Sequence, residues 1–210
     1  MKTYIIKNDR DLSKHKDRYG YHIKGDAKFE YSPLIGGRLL VNGSIEADGY
    51  IKAGRYIKAG GFIESGSFIE ADGFIEADGF IKADGFIEAG GHIKAGGSIE
   101  AGWYIKAGGF IEAGGYIKAG DTYGISSGLS ITCGGYLSFG LNAYAGITVF
   151  GETTQEKKTI TCSELIMGNV EYGILKETGS KRDDKVDITV EGNTKRISRE
   201  SAIELGLIDK

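Results

Sequence analysis

Between Ile45 and Ile117 the chain repeats one six-residue unit thirteen times, in forms such as FIEADG, FIKADG and YIKAGG, and the isoleucine never varies. A strict short period marks a solenoid, in which each repeat buries its apolar side only by stacking on its neighbours. Counting isoleucine as position one, position two is always Lys or Glu and position three is Ala except at Ser65. Position four is Gly or Asp, position five mostly Gly, and position six mostly Phe or Tyr. In an extended segment this order places Ile and Ala on one side and the aromatic and the charge on the other. The Asp-Gly or Gly-Gly pair is the corner. The predicted core is therefore Ile45, Ile51, Ile57, Ile63, Ile69, Ile75, Ile81, Ile87, Ile93, Ile99, Ile105, Ile111 and Ile117.

The same Gly pairs suit hairpin turns, but a meander of tiny hairpins would flip the Ile/Ala side in every other strand and leave no continuous core. A coil winding round an axis keeps every isoleucine inward. The charges test how many units close one coil, because stacked neighbours lie about 4.8 Å apart and like charges there repel. Among the position-two residues, opposite signs meet in four of eleven pairs two units apart and in eight of ten pairs three units apart. Nine of twelve adjacent units also alternate, but that pairing would need the rejected meander. The expected fold is all-β: a single-stranded β-helix of triangular, eighteen-residue coils, of undecided handedness. Stacking then aligns outward residues in columns. One column carries Tyr50, Phe68, Phe86 and Tyr104 without interruption; a second carries Tyr56, Phe74, His92 and Phe110; a third carries Ser44, Phe62, Phe80, Ser98 and Tyr116. Three apolar stripes expose more than a free monomer usually tolerates. The first is accordingly the expected interface and the second a secondary interface.

Outside the repeat the pattern loosens. Residues 1–36 predict a strand at Thr3–Ile6, a polar turn or helical piece at Asp9–Lys16 and a strand near Tyr21–Ile23, together capping the first coil so that no sheet edge is left open. Leu39 continues the isoleucine register backward, so the β-helix is assigned to 37–145, with Ile125, Ile131 and Leu137 marking decayed coils. Residues 146–210 read as a β-rich C-terminal module. Its ITVFGE, KTITC and VEYGILKE segments are ordinary strands, followed by a strand at Val186–Val190, a turn at Glu191–Asn193 and a short helix from Ser201, whose pairing with Glu204 fits a capping box.

Composition removes several functions. The net charge is −3 with both signs interleaved, which argues against a nucleic-acid groove. No stretch has the length and apolarity to cross a bilayer, and the start lacks a signal-peptide core, so a cytoplasmic protein is expected. Cys133 and Cys162 each end an Ile-Thr-Cys triplet and would share the isoleucine face as two buried thiols, with a disulfide or half a metal site as the alternatives. No CxxC, P-loop, HExxH or GxSxG element is present. Asp48, Asp72, Asp78 and Asp84 follow the repeat rather than a calcium loop. No metal, cofactor or catalytic residue is expected.

The six-residue period and inferred triangular coil resemble the hexapeptide-repeat acyltransferases, whose left-handed β-helix uses a subunit-boundary histidine as base. That resemblance would point to His92. The unit departs from that family, since Ala follows isoleucine by two where the family's small residue precedes it, and no loop interrupts the repeat to wall a cleft. The Gly-x-Ile-x-Ala texture over 43–120 is similar to bactofilin-like polymer-forming proteins, which implies a self-assembling scaffold. As a compact, repetitive chain without catalytic motifs, it also looks like the small phage or mobile-element proteins that block a host nuclease or anti-phage complex, anti-CRISPR proteins among them. The expectation carried forward is a non-enzymatic, homodimeric, protein-binding solenoid that inhibits a host defence complex such as CRISPR–Cas.

Overall fold

The computed structural model describes residues 1–148, 154–179, 185–190 and 193–198, which fall into two units, residues 1–178 and 179–210. In the first unit each hexad forms a short strand, from Ile45–Ala47 through Ile111–Ala113 to Ile117–Lys118. Strands three hexads apart pair in parallel, Ile63 on Ile81 and Ile81 on Ile99, so eighteen residues make one coil. The result is an all-β solenoid with three faces. Its first face includes Asp26–Phe29 and Ile45–Ala47, its second Leu34–Ile35 and Ile51–Ala53, and its third Arg38–Val41 and Ile57–Ala59. The nine-residue strand Leu137–Ala145 joins the first two faces, pairing with Ile117–Lys118 at its start and with Ile125–Ser127 at its end.

The observed register places opposite charges on each other in eight of ten stacked pairs, as the sign order requires. The exceptions are Glu46 on Glu64 and Glu70 on Glu88. Backbone bonding continues round the corners: Gly61, Gly79, Gly97 and Gly115 each donate to the glycine carbonyl one coil below, at 2.9–3.1 Å. This vertical bonding explains the corner glycines better than turn conformation does, since none of the repeat's glycines has a positive φ. A Cβ on Gly90 or Gly102 would lie 2.1 or 2.0 Å from the carbonyl oxygen of Asp72 or Asp84 beneath it. Each corner aspartate of the repeat has a glycine eighteen residues on, which avoids both that collision and Asp-on-Asp repulsion.

All thirteen isoleucines are buried, with alanines beside them. Ser65 replaces one alanine at no polar cost, because its hydroxyl donates to the Gly49 carbonyl at 2.7 Å and accepts from the Ser67 amide. On the first face the inner column of small residues ends in a buried Phe29 at one end and a buried Phe139 at the other. Gly168, at φ 111°, lies against the Phe139 ring where a side chain could not fit.

Both ends depart from the expected limits. The strands Thr3–Ile6 and Gly20–Ile23 and the helix Asp9–Ser13 stand where the sequence places them. Asn8 caps the helix by accepting from the Arg10 and Asp11 amides, and Leu12 is buried. Yet Gly20–Ile23 already pairs in parallel with Arg38–Val41, and Asp26–Phe29 with the first hexad, so coil winding begins before residue 37. Winding also continues past 145: Thr159–Cys162 stacks in parallel on Ile131–Cys133, and Ile174–Glu177 stacks on Thr159–Cys162. These strands are coil strands rather than a separate β-rich fold. Buried Ile160 and Cys162 supply the inward pair that Ile and Ala supply in a hexad. In the second unit Lys185–Val190 and Asn193–Ser198 form an antiparallel hairpin. Part of ITVFGE, most of the 191–193 turn and the helix from Ser201 lie outside the described residues.

Candidate functional site

Position six stands at the end of each corner, and its side chain leaves the solenoid roughly in the plane of its coil. Successive rings therefore lie flat on one another. In the expected interface, Tyr50, Phe68, Phe86 and Tyr104 stack with centroids 4.8, 4.7 and 5.0 Å apart and planes within 5°, 6° and 0°. In the secondary column, Tyr56, Phe74, His92 and Phe110 stack at 4.5, 5.1 and 4.6 Å. The third column stacks Phe62 on Phe80 at 4.7 Å, breaks at Ser98 and resumes with Tyr116 on Tyr136. Such stacking stabilises a pair by about 0.5–1.5 kcal/mol beyond the area it buries. It also covers the ring faces, so most rings are half-buried and a partner would meet mainly their edges.

Lys/Glu rows run beside the ladders and are tied to them. Lys58 bonds Glu76, Lys94 bonds Glu112, Lys52 bonds Glu70 and Lys106 bonds Glu88, all at 2.7 Å. From the ladders, Tyr104 donates its hydroxyl to Glu88 at 3.0 Å, Tyr116 donates to Glu100 at 2.9 Å, and His92 Nε2 lies 2.8 Å from Glu76. Each link joins a position-six residue to the position-two residue sixteen places earlier. Burial and the Glu88 bond push the Tyr104 phenol up to about 12. His92, the histidine that an acyl-transfer reading requires, has both ring faces covered by Phe74 and Phe110 and its Nε2 engaged by Glu76.

Burial of Glu76 opposes its ionisation, but the Lys58 and His92 bonds outweigh that and hold its carboxyl below the ordinary glutamate range. Glu88 is lowered in the same way by Lys106 and Tyr104. Because the folded values lie below the unfolded one, these contacts stabilise the fold fully above the ordinary glutamate value, about 4.3. That contribution disappears as pH falls through the lowered folded values. The melting temperature should accordingly drop on acidification through this range. Glu76→Gln combined with Glu88→Gln should make the drop shallower, with each partly exposed pair contributing below about 1 kcal/mol. Identical acid profiles of parent and double variant would remove the rows from the stability account.

Cys133 and Cys162 are free and buried in neighbouring strands of the third face, and burial pushes their thiols up to about 12 and about 11. They are protonated core residues at neutral pH. Among the described residues no group of three His, Cys, Asp or Glu side chains is arranged to hold a metal, and no helix is long and apolar enough to cross a membrane. Asp48, Asp72, Asp78 and Asp84 are exposed; Asp48 and Asp84 share one corner column two coils apart, with Gly66 between them, and Asp72 and Asp78 occupy the other two columns.

Residues that periodicity does not select gather where the hexad breaks. Ile117 and Ile125 are eight residues apart instead of six, and the extra length is taken up by a turn at residues 121–122, closed by the Tyr123 amide on the Gly120 carbonyl. Trp103 occupies a corner position that elsewhere is mostly glycine. It is 48% exposed, stacks on Tyr123 at 6.0 Å and leans on Phe86 at 6.3 Å. Leu141, 58% exposed, donates its amide to the Tyr123 carbonyl. The chain's single tryptophan and the two-residue insertion were the available signals for this patch. Compared with known proteins, the chain matches no protein-family model, no curated protein and no solved structure, and its function has to be read from its own surface.

Proposed function

We propose that this chain is a non-enzymatic protein-binding solenoid, and that the face carrying Tyr50, Phe68, Phe86 and Tyr104 is its main contact surface. The observation that carries this reading is the unbroken stack of those four rings, flanked by exposed Trp103, which leans on Phe86. Rigid aromatic edges flanked by paired charges supply apolar contact at low entropic cost, while the charged rows select against mismatched partners. The finer reading is an inhibitor of a host nuclease or anti-phage complex such as CRISPR–Cas, working as a cytoplasmic homodimer. The enclosure of His92 by Phe74, Phe110 and Glu76 speaks against the acyl-transfer alternative.

A bactofilin-like scaffold is the second reading, favoured by one observation. Among the described residues, Ile166 in strand Leu165–Tyr172 and Ile174 and Leu175 in strand Ile174–Glu177 are exposed, and each strand is paired on one side only, as strand-to-strand assembly requires. The opposite end is covered by the helix Asp9–Ser13 with Leu12 buried. A filament needs two complementary contact surfaces, whereas a closed dimer needs one surface that pairs with itself. Light scattering should give a single species of twice the 22.5 kDa chain mass. Affinity capture from the native cell should retain a stoichiometric protein partner. Filaments in negative stain would replace this reading with the scaffold, and a capture that retains no protein would overturn it.

A further inference from the structure

The first ladder ends in an empty rung. Above Tyr104 the column continues with Gly124 and then Asn142, because Ile105 donates to the Gly124 carbonyl and Ile125 is in register with Ala143. In the adjacent outward row, Lys106 is followed by the small Ser126 and then by Tyr144. Two neighbouring columns thus lose their bulk in the same coil. They leave an open surface slot of about 220 Å³ lined by Tyr104, Lys106, Gly124, Ser126, Asn142 and Tyr144. Its walls stand two coils apart, about twice the 4.8 Å strand spacing, which is the room one stacked ring takes. The serines of the third column differ: at Ser98, Glu100 in the adjacent row bonds the Tyr116 hydroxyl across the gap, and at Ser44 the site is bridged by polar bonds, the Ser44 amide donating to Asp26 and the Ser44 hydroxyl accepting from the Phe62 amide.

We propose that this slot receives an aromatic side chain of the protein partner, a tyrosine in the first instance, as the missing rung. The ring would stack on Tyr104, and its hydroxyl would reach the polar rim formed by Ser126 and by Asn142, whose amide nitrogen already lies 3.3 Å from the Tyr144 hydroxyl. The inference rests on the protein-binding reading and gives it a mechanism of register. A ladder that repeats every coil offers a partner several equivalent positions, whereas an empty rung occurs once on this face. Exposed Trp103, stacked on half-buried Tyr123 at 6.0 Å, directly precedes Tyr104 in the chain, as Tyr123 precedes Gly124. Glycine at 124 is enforced by the backbone, since a Cβ would lie 2.3 Å from the Asn142 carbonyl oxygen, so the slot cannot be filled from that position.

The test titrates the full chain with p-cresol, the tyrosine side chain as a free molecule, while following the ring resonances of Tyr104 and Tyr144 by NMR. Saturable shifts are expected with a Kd on the order of millimolar, in keeping with so few ligand atoms. Binding should weaken about tenfold in Ser126→Phe, which fills the slot, and in Tyr144→Ala, which removes a wall. It should weaken similarly for 4-methylcyclohexanol, which has the shape without the π face. Absence of saturable shifts, or equal binding by both variants and by the aliphatic probe, would overturn the proposal. A captured protein held as tightly by Ser126→Phe as by the parent sinks the slot alone. Slot-dependent p-cresol binding with no captured protein keeps the slot as an aromatic site while the protein-binding reading falls.

Discussion

Ile81→Asp is expected to leave no cooperatively folded solenoid. Ile81 is completely buried and stacks in register between Ile63 and Ile99. The interior around it holds isoleucine, alanine and Ser65, whose hydroxyl proton is already given to the Gly49 carbonyl, so a carboxylate there finds no cation and no free donor to replace water. An unpaired buried charge costs several kcal/mol, a large part of the 5–15 kcal/mol that stabilises a typical domain. The position aggravates the loss. In a stack where each coil touches only its neighbours, a fault near the middle separates two short pieces, neither with a complete set of neighbours. Ile81→Val is the matched control, with an expected cost of about 0.5–1.5 kcal/mol and a single unfolding transition. Circular dichroism melts of the three proteins check the prediction, and an Asp variant that unfolds cooperatively within a few degrees of the parent would refute it.

Phe68→Glu combined with Phe86→Glu is expected to abolish partner capture, or the self-association of the chain, while the coil persists. These are the two central rungs of the first ladder, so the double variant removes all three of its stacked contacts. It also sets new carboxylates beside Glu70 and Glu88, which already face each other. Some stability is lost, and the control must lose it too. Phe62→Glu with Phe80→Glu disrupts the stack on the third column instead. A contact surface built on the first ladder predicts at least hundredfold weaker capture for the first double variant, as when central aromatic anchors are removed. Near-parental capture is predicted for the second. Equal behaviour of the two would show that the ladders hold the coil together and do not meet a partner.

The coil itself was legible because its determinants are periodic. The invariant isoleucine marks the inner side, and the order of Lys and Glu carries the stacking interval, which the observed Glu64–Lys82 and Lys58–Glu76 neighbours reproduce. The helix at Asp9–Ser13 was legible from its polar run. The outer coils were not. Residues 159–177 hold the same parallel register through backbone bonding, which any sequence can provide, and their inward Ile160 and Cys162 carry no hexad signature. The candidate site was legible only in part. Columns of aromatics follow from spacing, but the diagonal bonds from Tyr104 to Glu88 and from His92 to Glu76 depend on side-chain reach. The empty rung depends on how the insertion before Ile125 shifts Gly124 under Asn142, which no periodic rule contains.

The phenylalanine plugs at Phe29 and Phe139 make the solenoid a ruler. Between them the inner column holds only small side chains, Ala47, Ser65, Ala83, Ala101 and Ala119, each equivalent to the next. Adding or removing eighteen residues leaves every column intact, whereas six would rotate each ladder onto a different face. The separation of the two ends is thus quantised in steps of one strand spacing, about 4.8 Å. Evolution could adjust that reach by duplicating or deleting a coil, without redesigning the core or either end.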